Sequence, residues 1–389
     1  MRKIGRARIA IAVPQGLAFV ERELRGIVEY ANEHGGWTFS RFPDMLGASV
    51  KWLRNWTGDG AFALIITPAD ATMVRDLPFP VVNLASHLPP GDLPLVAVDH
   101  RRIGEIAARH LLERGFRRFG YFGTPRLWYS EQRRNSFRKT VEKAGGQCRI
   151  LEVEANPNSA AWRHQEQKLR QWLESLQLPV GIMASTDLRA SMVLETCRSL
   201  GLRVPDDVGV IGVDNDPVFA EFDDPPLTSV ARNDRAVGRK AAELLAKLMA
   251  GGKPPAKPIL IPPEGVVQRR STETTVIDNP VVAQVVGYIH EHISSKLRVE
   301  ELIKDLPISR RSLEAKFREA LKTSPHQYVN LMRVEAAKRL LASPDQMKLA
   351  SVSNACGFTE PRRFRTIFRR VTGVSPAAYR RSCLMKVRT

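Results

Sequence analysis

Five arginines stand between residues 362 and 370, in the stretch GFTEPRRFRTIFRR, with phenylalanines set among them. On a helix Phe364, Ile367, Phe368 and Val371 fall at i, i+3, i+4 and i+7 and form an apolar packing stripe. Arg362, Arg365 and Arg369 share another face, flanked by Arg363 and Thr366. A helix that buries one stripe and presents a cationic one has the residues needed to meet double-stranded DNA. Its first residues would reach base edges in the major groove and its later arginines the phosphates. The same spacing occurs earlier in the chain. SRRSLEAKFREALKTSPHQY (309–328) aligns with EPRRFRTIFRRVTGVSPAAY (360–379) at a constant offset of 51. Arg310, Arg311, Glu314 and Arg318 occupy the first copy, and Arg362, Arg363, Arg365 and Arg369 the second. The bland alternative is a solvated basic face. Two tandem copies with matching caps favour the DNA-binding reading.

A second chemistry is written nearer the amino terminus. Apolar runs end in Pro14–Gln15, Thr67, Ser86–His87, Thr124, Thr186–Asp187 and Asp214–Asn215–Asp216. Hydroxyls and acids with few cations suit a polyhydroxylated small molecule. A phosphate ligand calls for a glycine-rich loop, and neither G-x-x-x-x-G-K-[ST] nor G-x-G-x-x-G occurs. The enzyme alternative is an α/β enzyme with an appended nucleic-acid-binding domain. It lacks a G-x-S-x-G nucleophile elbow and any Cys/His cluster of metal-ligand spacing. Asp214 and Asp216 have no partner acid or base in the sequence, and His87, His100 and His110 are scattered as structural histidines usually are. The chain is therefore expected to be no enzyme and to need no metal or cofactor.

These residues require two kinds of scaffold. Through residue 270 the chain alternates apolar strands (ARIAIAVP, GAFALIITP, PVVNLAS, PLVAVD, FRRFGYFGT, QCRILEVE, PVGIMAST, VGVIGVDND) with amphipathic helices. That alternation predicts βαβ units and parallel sheets, whose ligands bind beyond the carboxyl ends of the strands. STETTVIDNP (271–280) reads as a polar, proline-ended linker, and 281–389 as two helix-turn-helix units joined by a helix over about 325–342. In these units Ser309 is the expected cap of the first recognition helix, Thr359 or Glu360 that of the second, and Gly357 ends the helix before it.

Charge follows this division. The 389 residues carry a formal net charge of +18. Residues 281–389 hold 21 Lys and Arg against 9 Asp and Glu, and the remainder 38 against 32. The acidic partner therefore faces the carboxyl-terminal part. The four cysteines, Cys148, Cys197, Cys356 and Cys383, form no framework, which fits a reducing cytoplasm. Arg6 and Arg8 interrupt the only stretch resembling a signal peptide, and no run approaches a membrane span, so no membrane partner is expected.

Two family resemblances follow from the quoted residues. VPDDVGVIGVDND, LTSVARNDRAVGRKAAELL and VVQRRST resemble the sensor of LacI-type repressors and periplasmic sugar-binding proteins over roughly residues 7–272. That implies two α/β lobes joined by a three-stranded hinge, with ligand clamped between them. The matching positions imply Arg133, Asp187, Asp214 and Asn215 as ligand contacts; the strand ends add Gln15, Ser86 and His87, and Trp128 offers a π-face on which a sugar ring could stack. Thr186–Asp187 departs from the Asn-Asp common in that family. SRRSLEAKFREAL, MRVEAAKRLL, ACGF and FRTIFRRVTGVSPAAYR resemble the AraC-type DNA-binding domain. Pro361 and the pair Arg362–Arg363 replace small polar or aromatic residues common there, which points either to a guanine-rich half-site or to a helix start shifted by the proline. A LacI-like sensor before an AraC-like reader resembles the xylose-responsive branch of that family. The resemblance implies a regulator with D-xylose as favoured effector and another pentose or a non-sugar metabolite as alternatives. It favours an activator, with RNA polymerase as a further partner, and a repressor is the alternative. Two tandem readers on direct repeats lead to an expected homodimer, and with no leucine zipper in the sequence its interface falls to the sensor.

Overall fold

The structure, a computed structural model, describes residues 6–14, 16–41, 50–154, 159–273, 279–295, 297, 299–304, 306–321, 323–342 and 347–386. It divides into two compact units, Met1–Thr275 and Val276–Thr389.

The first unit begins with β1 (Ala7–Ala12), α1 (Ala18–His34), β2 (Trp37–Arg41), β3 (Gly60–Ala63), α2 (Pro68–Arg75), β4 (Val81–Asn83) and β5 (Val96–Val98). It continues with α3 (His100–Glu113), β6 (Arg118–Gly123), α4 (Trp128–Lys143), β7 (Gln147–Glu152), α5 (Ser159–Glu174), β8 (Val180–Ala184), α6 (Asp187–Ser199) and β9 (Val208–Val213). It closes with α7 (Pro217–Phe222), β10 (Thr228–Ala231), α8 (Asp234–Met249), β11 (Ile259–Ile261) and β12 (Gly265–Val267). One lobe is the parallel sheet β2-β1-β3-β4, extended through the Asn83–Leu95 bridge by the pair β5-β11. The other is the sheet β12-β10-β9-β8-β6-β7, parallel except for β12 on β10. The chain passes between lobes three times: at Asp99, at Arg232–Asn233, and between β11 and β12. The two-lobed α/β sensor and its three crossings match the expectation. The sequence reading gives no strand at Trp37–Arg41 and none over β10, β11 or β12; the last two have only three residues each, too few to show a period.

Continuous apolar runs are what a sheet covered on both faces requires. Ile9, Ala10, Ala61, Phe62, Val180, Ile182, Val208 and Val210 are all buried. Glycine lets the covering helices approach closely. A Cβ on Gly26 of α1 would overlap the Arg235 carbonyl of α8, and one on Gly238 would overlap the Glu23 carbonyl. These two helices therefore touch backbone to backbone, which brings Arg22 and Glu23 beside the start of α8.

The expected linker begins later than residue 271. Ser271 and Thr272 are fully buried. Ser271 Oγ donates to the Val210 carbonyl (2.6 Å) and accepts from Thr228 N (2.8 Å). Thr272 Oγ1 meets His110 Nε2 at 2.8 Å, and its carbonyl accepts from Arg114 Nε at 2.7 Å. Strand hydroxyls and carbonyls thus satisfy this polar segment. Burial, with a smaller push from Arg114, lowers the His110 imidazole to about 3. An unfolded histidine titrates near 6.5, so between about 6.5 and about 3 the unfolded chain binds the extra proton and stability falls with falling pH. Buried carboxylates with raised values act in the opposite sense. The His110 share is therefore read as a difference: His110→Gln is expected to flatten the decline of the melting temperature from pH 7 to 5. An equal decline in both proteins would remove His110 from that balance.

The second unit holds α9 (Pro280–Glu291), α10 (Val299–Leu302), α11 (Arg310–Leu321), α12 (Pro325–Ala342), α13 (Leu349–Ala355), α14 (Pro361–Thr372) and α15 (Pro376–Lys386). It has two small cores. Leu313 and Phe317 of α11 pack with Val282, Val285 and Ile289 of α9, and Phe364, Ile367 and Phe368 of α14 pack with Val352, Cys356 and Phe358. The long helix α12 serves both: Tyr328 and Val329 enter the first core, Val334, Ala337 and Leu341 the second. Midway, Arg333 donates to the Ser295 and Ile293 carbonyls (2.7 and 3.3 Å) and lies over the Phe358 ring. Gly357 follows α13 at φ +75°, where a Cβ would also overlap the Ile293 carbonyl, so the turn requires glycine on both counts. Val371 departs from the expected stripe. It is 39% exposed, because α14 ends one residue later and Gly373 turns the chain away.

Candidate functional site

Between the lobes lies a cavity of about 510 Å³. One wall carries Pro14, Leu17, Phe19, Leu64, Ile66 and Leu84, with Ser86 and His87 at its rim. The facing wall carries His100, Tyr129, Arg133, Thr186 and Asp214, and Arg232 comes from a lobe crossing. The walls already meet. The first amides of α4, Trp128 N and Tyr129 N, donate to the His87 and Ser86 carbonyls at 2.9 and 3.0 Å. These are helix-end N–H groups with no partner inside their own helix.

Six charged groups organise the cavity. Arg232 Nε lies 2.7 Å from Asp234 Oδ1, its Nη2 3.2 Å from Glu23 Oε1, and its Nη1 3.5 Å from Asp214 Oδ1. Arg22 donates to Asp234 Oδ2 (2.9 Å) and to the Asp214 carbonyl (2.7 Å). Arg133 is 1% exposed and approaches Asp214 Oδ1 only to 3.9 Å. It stacks over Tyr129 and donates to the Ser185 carbonyl and to His100 Nδ1 (3.3 Å for the last). Three cations face three carboxylates, as buried ions must.

The protonation states follow. Burial drives His100 well below its usual value, and Arg133 and Arg232 push it the same way, so its ring is neutral. Arginine only donates, so Nδ1 accepts and the proton sits on Nε2. That Nε2 has no hydrogen-bond partner. Burial raises Asp214, while Arg133 and Arg232 pull it down. Its Oδ1 makes no hydrogen bond, since both guanidiniums stand too far away. Burial raises Glu23 well above the carboxylate range against the pull of Arg232. The lining thus offers an unpartnered donor and an unpartnered acceptor opposite an apolar wall. That arrangement fits a neutral molecule with hydroxyls and one apolar face. Among the described residues no cluster of three His, Cys, Asp or Glu could hold a metal.

Of the expected ligand set, Ser86, His87, Arg133 and Asp214 line the cavity. Gln15 lies outside the described residues. Trp128, Asp187 and Asn215 do not line it, and each has a physical reason. Trp128 stands edge-on to His100, and its neighbour Tyr129 takes the inward position. Asp187 is buried in its own lobe, accepting from Ser229 Oγ (2.6 Å) and Asp216 N (2.8 Å). Asn215 Oδ1 accepts from Arg269 Nη2 (2.9 Å). Sequence reasoning missed Phe19, His100, Tyr129 and Arg232. His100 carries a signal in hindsight, because it directly follows PLVAVD at a strand end.

On the second unit Arg310, Arg311 and Arg318 of α11 and Arg362, Arg365 and Arg369 of α14 are exposed. Ser309 caps α11 through Ser312 N (3.2 Å), as expected, while Glu360 at the head of α14 makes no side-chain cap. Glu314 accepts from Arg310 Nε (3.2 Å). Arg363 turns back to α12, 3.0 Å from His326 Nε2. The cationic stripe of α14 is therefore Arg362, Arg365 and Arg369.

A two-lobed sensor with a cleft that holds unpartnered polar atoms, followed by paired helix-turn-helix units, defines a ligand-responsive transcription regulator. Residues 108–272 match the periplasmic binding protein-like domain family and 302–382 the helix-turn-helix domain family. The chain is 30% identical over 387 residues to the xylose operon regulatory protein of Escherichia coli strain K12, covering 96% of this chain and 97% of that one. It is 29% identical over 333 residues to its counterpart in Haemophilus influenzae, covering 84% and 85%. The solved structure of a xylose-binding transcription activator superposes with a TM-score of 0.73 at 28% identity, covering 97% of this chain and 98% of that one. The chain belongs to the xylose operon regulatory protein family, whose members are DNA-binding regulators and not enzymes.

Proposed function

We propose that this regulator senses a pentose, D-xylose in the first place, in the cleft between its sensor lobes, and activates sugar-catabolic genes. The observation that carries the sugar is the unpartnered Asp214 Oδ1 held between Arg133 and Arg232 in a cavity of about 510 Å³. The relatives' names supply the particular sugar. Asp214, Arg133, Arg232, His100 and Tyr129 contact hydroxyls, with Ser86 and His87 at the rim, and Phe19 faces the apolar side of the ring. In this reading residues 1–270 sense, 281–389 bind DNA, and the protein works in the cytoplasm. Arg310, Arg311 and Glu314 read bases in one major groove and Arg362 and Arg365 in the next, while Arg318, Arg363 and Arg369 serve phosphates. A homodimer through the sensor sets two such readers on direct-repeat sites and multiplies their effective concentration. Contact with RNA polymerase completes activation. Sugar shifts the population toward the dimer arrangement that it binds better.

The test is thermal unfolding of the full chain with D-xylose, other pentoses and hexoses. At a hundredfold excess over Kd a ligand of the native state adds about 2.7 kcal/mol, a rise of several degrees. A rise with D-xylose supports the reading, and a rise with another pentose moves the effector. No rise with any sugar points to a non-sugar metabolite. A footprint that weakens with D-xylose would make the protein a repressor.

A further inference from the structure

The loop that carries Asp214 is strained, and it is tied to the segment through which the sensor leads into the DNA-binding unit. Asp214 has φ +113° and Asn215 φ +47°, both in the region that side chains avoid. Such strain persists only where neighbours over-determine it, and it marks places whose conformation matters. The neighbours here are named. Asp214 N donates to the Val230 carbonyl (3.1 Å), and Asn215 N donates to Ser229 Oγ (2.9 Å). Ser229 Oγ in turn donates to Asp187 Oδ1 (2.6 Å), whose other oxygen takes Asp216 N (2.8 Å). The Asn215 side chain faces away from the cavity and accepts from Arg269 Nη2 (2.9 Å). Arg269 also donates Nη1 to the Leu227 carbonyl (3.0 Å) and its own N–H to Thr228 Oγ1 (2.9 Å). Two residues further along, Ser271 and Thr272 are pinned to Val210, Thr228, His110 and Arg114.

We propose that Asn215 and Arg269 are positioning residues that carry the effector's action from the cleft to the exit segment 269–273. The proposal rests on the sugar reading of the cleft. A sugar hydroxyl that takes Asp214 Oδ1 pulls on a carboxylate that both guanidiniums hold only loosely. Asn215 follows in the chain, so any turn of the Asp214 backbone moves Asn215 Oδ1 relative to Arg269. Arg269 is anchored at three points, so the movement is transmitted to the register of 269–272 on β10. Asp187 belongs to the same device. It clamps Asp216 and fixes the far side of the loop, which accounts for a buried carboxylate that does not reach the cavity.

The test compares full-length wild type with Asn215→Gly and Asn215→Asp. Glycine accepts φ +47° without strain but offers Arg269 nothing, and aspartate accepts that backbone and keeps the acceptor. D-xylose affinity is measured by calorimetry, and amide exchange over 268–273 is measured with and without saturating D-xylose. In wild type the sugar is expected to change exchange there by about threefold or more, and in Asn215→Asp to do the same. In Asn215→Gly the change is expected to vanish while Kd stays within about threefold of wild type. A loop-filling role alone would not separate binding from response. If Asn215→Gly responds as wild type does, or if wild type binds D-xylose without any change at 268–273, the relay is wrong and the sugar reading stands. If wild type binds no pentose, the sugar reading fails and the relay fails with it.

Discussion

Replacing Asp214 with asparagine is expected to weaken D-xylose binding by about 1.5–3 kcal/mol, roughly ten- to 150-fold, since hydrogen bonds to charged groups carry that much. The substitution keeps the size of the side chain, and asparagine tolerates a positive φ. It removes the charge that faces Arg133 and Arg232, and it turns the strongest unpartnered acceptor of the cavity into a weaker one. Stability is expected to change much less than binding. Burial is the largest influence on Asp214 and raises its pKa, so burial costs the ionised carboxylate more than its distant arginines return, and removing the charge is not expected to weaken the fold. Calorimetric titration of the folded variant checks this. An unchanged affinity would remove Asp214 from the effector site and, with it, the observation on which the sugar reading rests.

The second large effect lies in the DNA-binding unit. Phe368→Ala is expected to cost about 3–5 kcal/mol, the usual loss for a large aromatic side chain removed from a core. Phe368 is wholly buried, packed edge-on to Phe364 and Tyr379. Its core is small, so a loss of this size approaches what such a core supplies. The second helix-turn-helix should lose amide protection in α14, and DNA affinity and its salt slope should both fall as phosphate contacts go. D-xylose binding should remain, because Met1–Thr275 has its own core. Val371→Ala is the control. Periodicity places both residues on one stripe, yet Val371 is 39% exposed, and its loss should fall within about 0.5 kcal/mol. Equal losses from the two substitutions would mean that the stripe, and not the observed packing, describes this helix.

Those two residues mark the boundary of what a pattern conveys. The recognition helices, the Ser309 cap of the first and the long helix between them were legible because each is local, while the side-chain cap expected at Glu360 is absent. A period of 3.6 residues, Ser309, and a repeat at an offset of 51 need no distant partner. The βαβ units and parallel sheets of the sensor were legible for a similar reason, since strand–helix alternation admits few topologies, whereas the two lobes were implied by the LacI-type resemblance. Ligand positions were legible to the level of strand ends at Ser86, His87 and Asp214, Arg133 was implied by the family resemblance, and all four line the cavity.

Which of two adjacent side chains turns inward was decided only by the tertiary structure. Tyr129 and not Trp128, Thr186 and not Asp187, and Asp214 and not Asn215 face the cavity. In each pair one step along the chain swings the side chain to another face, and the strand end is the same for both. Long-range charge pairing was equally out of reach. Arg22 meets Asp234 across 212 positions, and Arg232 meets Glu23 across 209. These pairs form because α1 and α8 touch at Gly26 and Gly238, a closeness that no local pattern encodes. The sequence by itself therefore determined the class of protein and the two surfaces it uses. The folded chain alone decided which atoms wait in the cleft, and which residues tie them to the exit toward DNA.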